Sequence, residues 1–194
     1  MENWHNVPAD GTFVFNATVF AAEAHAGQFR KCTRIPYLCH PLDVARTLVR
    51  LGYDDLVVSA GILHDVLEDT AVTRSKLAGK FGDGITGIVE QVTFRDQDDG
   101  WRGKKQRTIA RLMTVDEHAL AVAAADKFSN LSDIAADFTI VREMVWERFN
   151  GGEDGARWYY RELLRLFSKR CMGLQCEPLV GQMRHLVIQL FGGE

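Results

Sequence analysis

The chain has 194 residues, 46% of them hydrophobic and 25% charged, with a formal net charge of −3. These are ordinary globular values that exclude a disordered or fibrous chain, and the length fits a single domain, 1–194, with one sizeable core. The slight negative charge argues against a nucleic-acid polymer or an anionic membrane as partner, while leaving room for local basic groups to grip a small phosphorylated ligand.

The start, Met1-Glu2-Asn3-Trp4-His5, has no basic stretch leading into an apolar run. Nowhere do about eighteen apolar residues occur together, so a cytoplasmic protein is expected. Over 12–26, Phe13, Ala17, Phe20, Ala21 and Ala24 recur at spacings of three and four, which predicts an amphipathic helix closed by Gly27. The following ten residues, Gln28 to Tyr37, carry Arg30, Lys31, Arg34 and Pro36 and read as an ordered basic loop, either an anion site or a solvated surface. His40-Pro41 then opens a helix with Val44, Ala45, Leu48, Val49 and Leu51 as its apolar stripe, ending at Gly52. At that helix mouth a lone histidine reads as a cap or a packed side chain.

The centre of the chain is Leu63-His64-Asp65-Val66-Leu67-Glu68-Asp69-Thr70, an imidazole and three carboxylates emerging from an apolar run. Read as one helix from Asp54 or Asp55 to Asp69, it stacks Asp65, Glu68 and Asp69 on one face at i, i+3 and i+4. It also sets them near the negative end of the helix dipole. Like charges so close require a metal ion or a basic group among them.

Thr73 reads as the N-cap of a short helix through Lys80, broken by Phe81-Gly82-Asp83 before a second one over 84–93. The Asp-rich stretch 95–100 predicts a loop, and Lys104, Lys105, Arg107 and Arg111 give the next helix a basic surface. From Ala119 to Ala125 seven small or apolar residues run directly into Asp126, which implies a helix buried on most faces. An unpaired carboxylate there costs several kcal/mol, so Asp126 needs a partner: a basic side chain, or a metal shared with His64 and Asp65. Gly151 to Gly155 reads as a loop, and the remainder is helical by period, with no strand-forming alternation. Trp158, Tyr159 and Tyr160 read as core and rim. Cys32, Cys39, Cys171 and Cys176 form no Cys-x-x-Cys pair, so reduced thiols are expected rather than a zinc knuckle or disulfides.

In order and residue type, His40, His64-Asp65 and Asp126 resemble the HD phosphohydrolase superfamily, in which four such side chains hold one divalent metal. The likeness extends to His25-Ala26-Gly27-Gln28-Phe29-Arg30-Lys31, Pro36-Tyr37-Leu38-Cys39-His40-Pro41, Leu63 to Thr70, and Ala125-Asp126-Lys127-Phe128-Ser129-Asn130-Leu131. These stretches resemble the hydrolase domain of the RelA/SpoT guanosine-tetraphosphate enzymes. They cover about 21–133, and 138–192 fits the closing helices of the small, hydrolase-only members.

The resemblance implies an all-α, single-domain HD fold and a stand-alone hydrolase that uses Mn²⁺ to remove pyrophosphate from the 3′ position of (p)ppGpp. It implies metal ligation by His40, His64, Asp65 and Asp126. Glu68 and Asp69 then orient or deprotonate the attacking water, Arg30 and Lys31 hold phosphates, and Asn130 contacts the nucleoside. The chemistry stands on its own terms as well, since two imidazoles and two carboxylates leave coordination positions open for water and a phosphate oxygen. One departure bears on base recognition: Cys32-Thr33-Arg34-Ile35 replaces the small Ser/Asp-Gly turn usual in the family. The alternatives are an HD phosphatase or phosphodiesterase for another nucleotide, and a non-catalytic nucleotide-sensing module.

Overall fold

The computed structural model describes residues 11–94 and 100–193, and these fall into two compact units, divided after Thr93. All regular elements among the described residues are helices, with one isolated antiparallel bridge between Phe29 and Pro36. No described helix is long and apolar enough to cross a membrane.

The first unit is built around α3 (Asp55–Leu63), which packs on α1 (Thr12–Ala24), α2 (Cys39–Arg50) and α5 (Arg74–Val92). Its residues from Val57 to Leu63 are all buried, so that stretch has no solvent face, as expected of a helix surrounded on three sides. Asp54 starts it, the side chain accepting from the Val57 N–H at 3.0 Å. Close approach to α2 depends on Gly61, where an added Cβ would lie 2.5 Å from Leu48 Cδ1 and 3.3 Å from Val44 Cγ1. On α1 the buried positions are Ala17, Phe20 and Ala21, whereas Phe13 is 53% exposed. The predicted apolar stripe is therefore shorter than its sequence spacing suggests.

Two predicted boundaries shift for physical reasons. The expected helix to Asp69 breaks at His64-Asp65, and a separate turn, α4 (Val66–Asp69), follows. His64 Nδ1 sits 2.7 Å from the Gly61 carbonyl, competing for the acceptor that a continuing helix would offer to the Asp65 N–H. The break predicted at 81–83 is present as a kink inside α5, where Gly82 has φ 77° and ψ 169°. Thr73 caps that helix as expected, accepting from the Lys76 N–H.

The second unit contains α6 (Gly100–Leu112), α7 (Glu117–Val141), a 3-10 segment (Arg142–Arg148), α8 (Gly152–Arg170) and α9 (Glu177–Phe191). α7 packs on α9 and the 3-10 segment, and α8 packs on α6 and α9. Every residue from Ala119 to Asp126 is buried, which bears out the reading of that run. The expected loop at 151–155 is instead the start of α8. Gly151 and Gly155 serve close packing, since a Cβ on them would lie 2.7 or 2.8 Å from the Trp101 ring, whereas Gly152 takes φ 58°, a turn conformation. Part of the basic surface of α6 also turns inward, with Lys105 over the Tyr159 ring at 4.6 Å. The loop predicted over 95–100 lies outside the described residues except for Gly100, which begins α6.

Candidate metal centre

The site gathers at the mouth of α2 and the break between α3 and α4. His40 is held by a turn in which the Cys39 and His40 N–H groups donate to the Pro36 and Tyr37 carbonyls. Its ring is buried, at 2% exposure, and meets the His64 ring edge-on at 5.2 Å. His64 is equally buried, and its orientation follows from its hydrogen bond. The Gly61 carbonyl can only accept, so Nδ1 carries a proton, and in the neutral form of the ring Nε2 presents a lone pair.

His64 Nε2 faces Asp65 Oδ2 at 3.0 Å, and His40 Nε2 lies 3.8 Å from the same oxygen. One ligand atom from each of His40, His64 and Asp65 lies within 4.8 Å of the others. Two imidazole nitrogens and an anionic oxygen turned on one another repel unless a proton or a cation lies among them. A donor set of this kind suits a divalent transition ion, and the His64 bond to a backbone carbonyl is the outer support that such a ligand usually carries. The residues present therefore fit the metal that the fold family implies.

The second carboxylate pair sits beside this cluster. Glu68 and Asp69 donate their backbone N–H groups to the Asp65 carbonyl at 3.1 and 2.8 Å, so Asp65 is the N-cap residue of α4. The acids thus lie on a separate four-residue turn rather than in the last turn of a long helix. Glu68 is half-buried and Asp69 exposed. Tyr37 joins the two groups, its hydroxyl 2.6 Å from Asp65 Oδ2 and 2.8 Å from Asp69 Oδ2. Burial first, and then the Asp65 carboxylate, push the Tyr37 hydroxyl far above its ordinary range, so it is a donor at every working pH.

The basic loop is ordered, as expected. The Arg30 N–H donates to the Ile35 carbonyl at 2.9 Å, and the Tyr37 N–H to the Gln28 carbonyl at 3.0 Å. Thr33 closes the tip, its hydroxyl donating to the Arg30 carbonyl and accepting from the Ile35 N–H. The Arg30 guanidinium lies over the Tyr37 ring, 5.9 Å from its centre, while Lys31 and Arg34 are exposed. Cys32 takes φ 59°, a left-handed conformation that favours glycine.

In the second unit, Asp126 Oδ2 accepts from Lys127 Nζ and Oδ1 from Asn130 Nδ2, each at 2.5 Å. The partner that this buried acid requires is thus at least a lysine and an amide of its own helix. Sequence reasoning singled out His40, His64, Asp65 and Asp69, which the structure gathers around Tyr37. It gave Tyr37, His25, Gln28 and Lys127 no role. The available signal for Tyr37 was its place three residues before His40, one helical turn away.

Buried histidines and an adjacent aspartate on an all-helical frame define the helical His-Asp class of metal-site proteins. The family described as HD domain matches residues 17–147, and the chain belongs to it. It is 37% identical over 132 residues to the guanosine-3′,5′-bis(diphosphate) 3′-pyrophosphohydrolase of Xenopus tropicalis, which covers 65% of this chain and 72% of that protein. The Borreliella burgdorferi protein of the same name is 31% identical over 140 residues, 70% of this chain but only 21% of that longer protein. A solved structure from Listeria monocytogenes EGD-e aligns with a TM-score of 0.71 at 31% identity, covering 79% of this chain and 99% of that one. A metazoan ortholog of SpoT, described as hydrolysing ppGpp, aligns with a TM-score of 0.72 over 90% of this chain and 94% of its own. At 23% identity that likeness supports the shared fold.

Proposed function

We propose that this chain is a metal-dependent nucleotide phosphohydrolase that removes pyrophosphate from the 3′ position of ppGpp or pppGpp, leaving GDP or GTP. The observation that carries the reading is the convergence of His40 Nε2, His64 Nε2 and Asp65 Oδ2, in a chain that spans most of a small relative bearing that activity in its name. Asp126, 8% exposed, is the fourth ligand in this reading, and Mn²⁺ is the ion. Lys127 and Asn130 then share its carboxylate with the metal or release it. The exposed thiols of Cys32 and Cys39 support a reducing compartment, the cytoplasm.

When bound, a divalent ion supplies a more acidic water and neutralises charge developing on phosphoryl oxygens. The chain's own groups do the rest. Glu68 and Asp69, on the turn after Asp65, orient the water and take its proton. The water oxygen bonds to the phosphorus attached at the ribose 3′ oxygen. The bond from that phosphorus to the 3′ oxygen breaks, and the leaving oxygen takes a proton from solvent. Arg30 and Lys31 hold the phosphates through charge-assisted hydrogen bonds, and Asn130 meets the nucleoside.

A phosphatase for a different nucleotide is the second reading, favoured by the turn 32–35, which adds exposed Arg34 to the basic loop. Assay of the Mn²⁺-loaded protein against a nucleotide panel separates the two. Preferred turnover of ppGpp supports the first, and rapid turnover of another nucleotide with ppGpp untouched supports the second.

A further inference from the structure

The Tyr37 hydroxyl stands within hydrogen-bond reach of two carboxylate oxygens, Asp65 Oδ2 and Asp69 Oδ2, but it has a single hydrogen to give. Its place is fixed from several sides. The ring stacks on His25, with centres 4.6 Å apart and planes 24° from parallel. His25 is itself 3% exposed, and its Nδ1 meets Gln28 Oε1 at 2.8 Å. Gln28 Nε2 donates to the backbone carbonyl of Asp69 at 3.0 Å, while the Gln28 carbonyl accepts from the Tyr37 N–H at 3.0 Å. These contacts close a circuit from Tyr37 through His25 and Gln28 to Asp69 and back. Gln28 holds the backbone of Asp69 and Tyr37 holds its side chain.

Asp69 is otherwise exposed on a turn of four residues, where a carboxylate samples several rotamers. We propose that Tyr37 is a positioning residue that holds the Asp69 carboxylate beside Asp65, and that its hydrogen bond passes wholly to Asp69 once a cation engages Asp65 Oδ2. Metal loading and the orientation of the proton acceptor are then coupled through one phenol. The same side chain links the basic loop to the acids, because Arg30 lies over its ring. This inference rests on the reading of Asp69 as a water-orienting group.

The test is Tyr37→Phe, which keeps the ring and its stacking on His25 and removes only the hydroxyl. Folding and Mn²⁺ stoichiometry should match wild type. With ppGpp, kcat should fall by roughly ten- to a hundredfold, the effect of one hydrogen bond to a charged group, with KM little changed. In an Asp69→Asn background the same change should alter kcat by less than about twofold, because its route of action is already gone. A readout independent of substrate is the ¹³C signal of the Asp69 carboxylate in Mg²⁺-loaded protein, which should move toward the free-carboxylate position in Tyr37→Phe. An unmoved Asp69 signal overturns the inference, as does wild-type kcat in Tyr37→Phe or an undiminished effect in the Asp69→Asn background. A moved signal in a protein that leaves ppGpp intact upholds the Tyr37 contact and instead overturns the proposed reaction.

Discussion

His64 performs two tasks with one ring. Its Nδ1 proton engages the Gly61 carbonyl at the point where α3 ends, and that bond fixes the tautomer in which Nε2 is available to a cation. Removing the ring therefore removes a proposed ligand and alters a helix end, whereas Glu68 and Asp69 can be tested without either effect. Glu68→Gln and Asp69→Asn keep size and hydrogen-bonding capacity but cannot accept a proton. Each should retain metal by elemental analysis and lose most of its kcat, by about 10²-fold or more for a general base. Undiminished kcat in both would take these residues out of the mechanism. At this scale the His64-Asp65 pair was legible from residue type and its place after an apolar run, whereas His40 read as a cap or packed side chain and was singled out only by the family resemblance. Tyr37 was not legible as a strut, because its role arises only when residues 28–37 fold back and bring the hydroxyl to residues 28 and 32 positions further along.

The helices themselves were largely legible from apolar periodicity, and the exceptions have local causes. Periodicity cannot show the break at His64-Asp65, since a side-chain bond to a backbone carbonyl leaves no trace in hydrophobic spacing. Nor does it distinguish a glycine used for close packing from one used for a turn, as at Gly151 and Gly155. Gly61 is the sharpest instance in the first unit. A Cβ there meets Leu48, which is fully buried and cannot swing clear. Gly61→Ala should therefore lose about 1–3 kcal/mol to overpacking, offset by up to about 1 kcal/mol of helix propensity, as read by denaturant unfolding. In the basic loop, Cys32 occupies a positive-φ position. Cys32→Gly should fold without loss of stability, while the β-branched Cys32→Val should cost about 1–2 kcal/mol.

At the scale of the whole molecule, each unit has its own buried helix, α3 in one and α7 in the other; His40, His64 and Asp65 belong to the first unit and Asp126 to the second. The need of Asp126 for a partner was legible from the apolar run before it, but the sequence could not choose between a lysine and a metal, and the Lys127 and Asn130 contacts supply part of the answer. Asp126→Ala and His64→Ala should each lower bound Mn²⁺ well below wild type in folded protein, and full metal content in both would refute the ligand set.

The cysteines give an independent check on the fold. Cys32 and Cys39 are exposed, and Cys171 and Cys176 are buried. A hydrogen bond with Cys176 first, and then burial, raise the Cys171 thiol. Native protein should titrate two thiols rapidly with an aromatic disulfide reagent and the other two only on unfolding. Because the raised thiol stays protonated in the folded state, its stabilising contribution is complete below the ordinary thiol range, near pH 8.5, and declines as pH rises above it.

The most direct test of the account is the fate of phosphorus when Mn²⁺-loaded protein meets ppGpp, followed by ³¹P NMR after the metal is chelated. Pyrophosphate and GDP are expected in equal amounts, with the 5′ diphosphate intact. Orthophosphate as the released product, or ppGpp unchanged while another nucleotide is consumed, would contradict it.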